Sequence, residues 1–499
     1  MRSHAATSPD PCLTAPGGRK RVPAARGNAP ARWWERVHGA SALVRAGWCG
    51  RRPVDGRAAV KTTRESAVHK SRTVWAAAAG LTGIALAVTG CSTGSSSNSA
   101  STASSGGKVT LKVQTFNEFG YADLFTEYMK DHPNVTIVSD KAAKSDDARA
   151  SVKNSIATST VTDDIVAADV DWMPELLKSS DFFADVKTTD NAKRWPDWKM
   201  AQATDASGKL IGLGTDSGPQ GVCYRKDLFQ KAGLPTDRAQ VATLLGGSSA
   251  TWDQYFATGQ KFMAANTGAA WFDSLGALAQ VANNQQAEPF ESKSDDSITV
   301  GKSDSNASKV FTMLTSHTDQ SAHLAQWTDD WTKAFASDKF ATVMCPAWMT
   351  QIIAGDAPDQ KNWDIADVLP GGSSNWGGSF LLVPAKGKNV TEAKALADWL
   401  TAPAQAAKVF VKFGNFPSQT DAVKDATVTA KTDTYFNNAP TGQIFSNRFS
   451  AVSKQPYRGS HYFDINDQFG KALTRVDVDK TDNAAASWQK FLDAVKQLG

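Results

Sequence analysis

Carboxylate and amide side chains stand beside tryptophans, or on their own at segment ends, at several points in the sequence: Asn117-Glu118, Asp171-Trp172, Asp216 and Trp271-Phe272-Asp273, with Trp348 and Trp376 further on. That combination suits a polyhydroxylated ligand. Sugar hydroxyls need fixed hydrogen-bond partners, and sugar C–H faces need a flat apolar wall. Each residue also has a plainer use. Glu118 could be a solvated loop carboxylate, Asp171 a helix N-cap, Asp216 the shaper of a turn, and the tryptophans core. Paired carboxylates with tryptophans also build glycosidases, and those leave no local signature. Other chemistries are easier to set aside. The histidines beyond the N-terminal region are His132, His317, His323 and His461, and none forms the i, i+4 pair of a zinc helix. There is no Gly-x-Ser-x-Gly elbow and no Walker loop, and Gly212-Leu213-Gly214 lacks the third glycine of a dinucleotide site. No cofactor or metal is expected.

The elements that would position these residues follow from periodicity. Val109–Thr115 alternates apolar and polar residues, as a half-buried strand does. Tyr121–Lys130 carries Leu124, Phe125, Tyr128 and Met129 at helical spacing, with Pro133 beyond its end. Val135–Val138 and Ile165–Ala168 read as further strands, the latter apolar on both faces, and a helix is expected over Trp172–Lys178. Strand–helix alternation of this kind predicts an α/β fold with a parallel sheet covered on both faces. Ligands in such sheets sit beyond the carboxyl ends of strands, where Asn117-Glu118 and Asp171-Trp172 fall. Thr251-Trp252-Asp253-Gln254 has the form of a capping box opening another helix. Helices are expected over 391–400 and 403–413, a polar loop over 301–308, and a strand or its exit at Trp271. Trp348 closes the apolar run Ala341–Met344, and Trp376 lies among glycines.

Charge divides the chain. Residues 1–72 hold 15 Lys/Arg against 4 Asp/Glu, whereas residues 91–499 hold 39 against 46. The acidic body argues against nucleic acid, which needs clustered cations. Between the two parts, Lys70-Ser71-Arg72 precedes an uncharged stretch, Val74–Val88, that is shorter than the roughly 20 residues of a membrane span. Small residues follow, and this is the pattern of a secretory signal. Ser92–Ser99 then reads as a solvated tether. Residues 1–59 fit no part of that pattern, which places the start of translation near Val60. Beyond the signal only Cys223 and Cys345 follow Cys91. They are candidates for one disulfide in an oxidising compartment, or else two buried free thiols.

Two resemblances refine this reading. Val88-Thr89-Gly90-Cys91 resembles the bacterial lipobox, which implies lipidation of Cys91 and anchoring on the outer face of a membrane. Tyr224–Pro235, Thr251-Trp252-Asp253, Phe340–Trp348 and Leu369-Pro370-Gly371-Gly372 running into Trp376–Phe380 resemble, in that order, the sugar-binding extracellular solute-binding proteins of ATP-driven importers. The maltose-binding-protein-like family implies two α/β lobes joined by two or three crossovers, with ligand between them. Mapped here, residues 1–90 would be extension and signal, and 91–107 tether. Lobe 1 would be 108–218 plus 373–430, and lobe 2 would be 219–372 plus 431–499. The resemblance implies a non-catalytic monomer that delivers an oligosaccharide to a membrane permease, and a stacking role for Trp348. A surface hydrolase or lyase, or a ligand-sensing lipoprotein, is the alternative.

Overall fold

The computed structural model describes residues 107–452 and 455–498. Cys91, the signal and nearly all of the tether lie outside them. Chain order gives β1 (Val109–Phe116), β2 (Val135–Ala142), β3 (Ile165–Asp169), β4 (Gly212–Gly214), β5 (Asp216–Ser217) and β6 (Gln220–Arg225). It continues with β7 (Ala270–Phe272), β8 (Phe340–Pro346), β9 (Trp363–Ala366), β10 (Ser379–Leu382) and β11 (Phe416–Pro417). Two sheets result, one per lobe. The first has the order β2-β1-β3-β10-β4 and the second β7-β8-β6-β9, while β5 and β11 form a ribbon between them.

The sheets are mixed rather than wholly parallel. β1 runs parallel to β2 and β3, but β10 is antiparallel to both β3 and β4. In the second sheet β6 is antiparallel to both neighbours, and β7 is parallel to β8. The physical reason is the crossover. β6 carries the chain into lobe 2 and β10 brings it back into lobe 1, so each leaves the joint and runs against its neighbours in the sheet. The three strands expected in lobe 1 form, two from alternation and β3 from its apolar run, and helix Ala122–Asp131 buries Leu124, Phe125 and Tyr128. Beyond β3 the expected single helix is a short 3-10 turn, Val170–Trp172, followed by Met173–Leu177. Thr251 caps Trp252–Ala264 by accepting from the Gln254 amide. The reverse half of the box is not made, because Gln254 Nε2 donates to the Leu244 carbonyl instead. The polar loop at 301 ends sooner than expected, since Ser305 caps a helix from Asn306.

One apolar cluster holds lobe 1, from Leu111 and Val113 through Ala167 to Phe380, Leu396 and Leu400. Lobe 2 has a cluster on each face of its sheet. Val222 and Tyr224 of β6 point into one, and Cys223 between them points into the other, as a period of two requires. Burial of each large side chain contributes about 1.5–3 kcal/mol, which makes these clusters the main stabilising term. Segment 403–430, expected with lobe 1, sends Ala407, Phe410, Phe416, Val423 and Val428 into the second cluster of lobe 2, while Val409 packs on lobe 1. Helix Pro403–Phe413 therefore straddles the two bodies. No helix among the described residues is long and apolar enough to cross a membrane.

Cys223 and Cys345 are bonded across the neighbouring strands β6 and β8, with Cα atoms 5.5 Å apart. The bridge closes a loop across a sequence separation of 122 residues. Long loops are the ones whose closure removes most freedom from the unfolded chain, so loss of the bridge is expected to cost about 2–4 kcal/mol. Melting the Cys223→Ser/Cys345→Ser variant beside wild type, with and without reductant, checks this. Equal melting temperatures throughout would show that the bridge stabilises nothing.

Candidate functional site

The joint between the lobes is made by two chain passages running side by side. The Thr215 amide donates to the Ser379 carbonyl (2.9 Å), and the Trp376 amide to the Gly218 carbonyl (2.9 Å). Side chains complete the strap. Asp216 Oδ1 accepts from the Ser379 amide (2.9 Å) and from Thr215 Oγ1 (2.7 Å), and Asn375 Oδ1 accepts from the Gly218 amide (2.8 Å). Gly218 must be glycine here, because a Cβ would sit 1.7 Å from the Trp376 carbonyl oxygen. A third strand of chain is tied in by Gln419, whose Nε2 donates to the carbonyls of Gly214, Thr215 and Thr401.

Against this strap, at the carboxyl end of β3, stands a cluster of charge. Partly buried Asp169 accepts from the Asp171 amide (2.9 Å), and burial together with the nearby Asp171 carboxylate raises its carboxyl to about 7. Lys199, on helix Asp197–Ala201, donates to the Asp216 carbonyl (3.1 Å) and lies 3.9 Å over the Phe380 ring. Burial lowers its amine to about 8, although Asp216 and Asp169 oppose that shift. Asp171 Oδ1 accepts from Nε of Arg458, which comes from lobe 2 (2.8 Å). A second arginine crosses the same gap. Arg149 of lobe 1 reaches Asp464 (3.2 Å) and covers the Phe463 ring (4.0 Å) at the start of helix Tyr462–Asp477.

Tryptophans line the lobe 2 side of the joint. Trp348 is partly buried, and its Nε1 donates to the Trp376 carbonyl (3.1 Å). Its ring meets Trp376 edge-on at 5.0 Å and stacks on Trp327 at 6.0 Å with 24° between planes. Trp327 is 51% exposed and has φ of 68°, a left-handed backbone that bulky residues rarely adopt. Strain of that kind persists only where surroundings enforce it. Two buried carboxylates do so. His323 of the same loop holds Asp477 (2.7 Å), the Leu324 amide donates to the Asp273 carbonyl (3.1 Å), and Trp331 Nε1 donates to Asp273 Oδ2 (2.8 Å).

Of the residues singled out in the sequence, Asp171, Asp216, Trp348 and Trp376 come together at the joint. Asn117 and Glu118 lie exposed on a loop of lobe 1, where Glu118 accepts from its own Gly120 amide and pairs with Lys141 (3.1 Å). The other three point elsewhere. Trp172 is 1% exposed, packs near Phe116 and donates to Ser145 Oγ (3.2 Å). Trp271 is fully buried among Phe229, Tyr255 and Phe262 in lobe 2. Asp273 is fully buried as well, and serves as the anchor just described rather than as a wall of the cleft. The strand ends were legible in each case, but not the side on which each side chain would emerge. Trp327, Arg458 and Lys199 escaped the sequence reading. Only Trp327 carried a signal, as an aromatic outside any periodic segment just ahead of the capping Thr328. Among the described residues no group of His, Cys, Asp and Glu is placed to hold a metal ion.

A family model described as bacterial extracellular solute-binding protein matches residues 123–437. The chain belongs to this family. A crystallised extracellular solute-binding protein of family 1 is 42% identical, with a TM-score of 0.70 over 78% of this chain and 99% of that one. Two more distant structures share the fold of this solute-binding protein. The ABC-transporter-associated binding protein of B. animalis subsp. lactis Bl-04, solved with β-1,6-galactobiose, is 18% identical with a TM-score of 0.62, over 78% and 98% of the two chains. The GacH receptor of Streptomyces glaucescens GLA.O, solved unliganded and with acarbose, is 16% identical with a TM-score of 0.63, over the same shares. A search of curated proteins finds no match.

The anchor at Asp273 makes a pH prediction. Burial raises its carboxyl from 3.8 to about 7. A carboxyl raised on folding contributes stability that is full below its unfolded value and is lost as pH climbs through the folded one. Asp273→Asn keeps an acceptor for Trp331 and removes the titration. Between about pH 5 and pH 8 the melting temperature of wild type is therefore expected to fall further than that of the variant. Parallel curves would exclude Asp273 as the source.

Proposed function

We propose that this extracellular solute-binding protein captures a sugar, an oligosaccharide, in the cleft between its lobes and presents it to the permease of an ABC importer. The observation that carries the reading is the tryptophan array. Trp376 and Trp348 step outward from the joint to Trp327, whose ring is half open to solvent although the loop beneath it is strained and pinned. A monomer has little reason to hold a large hydrophobic, the most exposed among the described residues, in that way unless a flat apolar partner is to cover it. Beside the array stand Asp171, Asp216 and Arg458, which supply the directional polar contacts that hydroxyls require. Galactobiose and acarbose, bound by the two distant relatives, are compatible in class.

Capture is a conformational equilibrium. The lobes share three narrow strips of chain and swing about them as hinged domains do. A sugar shifts that equilibrium only by binding the closed arrangement better than the open one, so contacts made from both lobes at once are the effective ones. Asn117 and Glu118, on the lobe 1 loop held by Asn415, would meet the ligand from the other side. A monomer anchored through lipid on Cys91 would keep this clamp at the membrane surface, where its permease works.

Calorimetry with neutral oligosaccharides tests the reading. Binding is expected, with a raised melting temperature and intact ligand recovered afterwards. Sugar fragments in the recovered ligand would make the protein a hydrolase instead. Trp327→Ala and Trp348→Ala are each expected to weaken affinity roughly tenfold by removing a stacking face. Trp327→Ala should leave the unliganded melting temperature nearly unchanged, because its ring is half exposed. Wild-type affinity in both folded variants would dismiss the array. In cells, Cys91→Ala is expected to move the protein from the membrane fraction to the medium, and continued sedimentation with membranes would refute the lipid anchor.

A further inference from the structure

Arg458 is placed with more care than an ion pair needs. Its segment, 455–461, is fastened along lobe 2. The Tyr457 amide donates to the Ala287 carbonyl (2.7 Å), Tyr457 Oη to Asp296 Oδ1 (3.0 Å), and the His461 amide to Glu291 Oε1 (2.9 Å). Gly459 lets the segment lie down, because a Cβ there would come 2.3 Å from Asp296 Oδ1. The guanidinium stands off the Tyr462 ring at 5.1 Å. Its Nε donates to Asp171 in lobe 1, and its Nη2 to Asn284 Oδ1 in lobe 2 (2.9 Å). The side chain is 4% exposed, yet among the described residues nothing accepts from Nη1.

A buried donor of a charged group without an acceptor is costly, and folded proteins seldom keep one without a use. Here the idle donor lies at the seam between lobes, on the same guanidinium that holds a carboxylate of the cleft. When the lobes part, Arg458 and Asp171 are uncovered together. We infer that Arg458 is a specificity-determining residue of the cleft, whose Nη1 donates to one hydroxyl of a neutral sugar while Asp171 accepts from a neighbouring hydroxyl. The inference rests on the sugar-binding reading above and narrows it to uncharged ligands.

Charge supplies the narrowing. Among the described residues, the carboxylates of Asp169, Asp171 and Asp216 gather around two cations, Lys199 and Arg458. A uronate would bring a further carboxylate to a guanidinium already shared with Asp171. A hydroxyl accepts the same hydrogen bond without that repulsion. The pairing of a fixed donor with a fixed acceptor also selects for two adjacent hydroxyls at matching spacing, which an isolated carboxylate or a lone arginine would not.

Calorimetry with maltotriose, cellotriose, xylotriose, β-1,6-galactobiose and digalacturonate decides it, using wild type, Arg458→Gln and Arg458→Lys. Wild type is expected to bind at least one neutral sugar and to prefer it to digalacturonate. Arg458→Gln is expected to weaken that binding roughly ten- to a hundred-fold, and Arg458→Lys by less. The unliganded melting temperatures are expected to fall, because each variant weakens a buried ion pair with Asp171. Affinity is therefore read on protein shown to be folded at the assay temperature, and the ratio of neutral-sugar to digalacturonate affinity is the readout that lost stability alone would not move. If Arg458→Gln fails to fold, Arg458→Lys carries the test, because a lysine lacks the planar fork. Affinity within twofold of wild type in the folded variant overturns the inference, as does tighter binding, which is what removal of a mere latch would give. A preference for digalacturonate overturns it too, while leaving sugar capture intact. A wild type that binds none of these sugars overturns the sugar reading itself, and this inference with it.

Discussion

Everything in the molecule hangs on the strap where two passages of chain lie against each other with no side chain between them. The missing Cβ of Gly218 lets the Trp376 amide and the Gly218 carbonyl meet, and Asp216 and Asn375 seal the flanks by accepting from backbone amides. A joint held by backbone contacts and short polar side chains is narrow and keeps its register. It can therefore bend without letting either sheet unravel. The same hydrogen bonds that define the joint also hold Asp216 and Trp376 at its rim, so the joint and the candidate site share one set of contacts.

That economy explains the electrostatics. Carboxylates crowded against a joint would repel one another, and burial adds to the cost. The structure answers with Lys199, driven in from a short helix, and with Arg458, brought from the opposite lobe. Lys199 is 17 residues from Asp216 within the same lobe, whereas Arg458 is far from the carboxylates in sequence. Arg458 and Asp171 are 287 residues apart. The balance thus exists only once both lobes are folded and in contact, and charge complementarity at the cleft reports the assembly of the whole.

What was legible in the sequence follows the same division. Strands with several alternating residues, such as β1, or a continuous apolar run, such as β3, and helices with a capping residue or a stop, such as Ala122–Asp131 and Trp252–Ala264, announce themselves locally. β4, β5 and β11 have two or three residues each, and nothing local marks them, whereas β7, with three, is expected at Trp271. The directions of β6 and β10 depend on how the chain enters each lobe, which periodicity does not encode. At the site, Asp216 and Trp376 were visible because glycines surround them, and Trp348 because an apolar strand runs into it. Trp271 and Asp273 stood at a strand exit just as plausibly, but the neighbouring helix Trp252–Ala264 and the loop at 321–331 close over them. Trp327 sits in a segment whose shape is fixed from far away, by Asp273 and Asp477.

The placement of β10 bears on how such a protein is made. It lies between β3 and β4, so these two strands share no partner until residues 379–382 arrive. A chain emerging amino end first cannot finish its first sheet until most of its length is available. Contacts this distant in sequence form slowly. An extracellular protein gains from that delay, because a polypeptide that must be threaded through a membrane has to remain unfolded until the threading is nearly over.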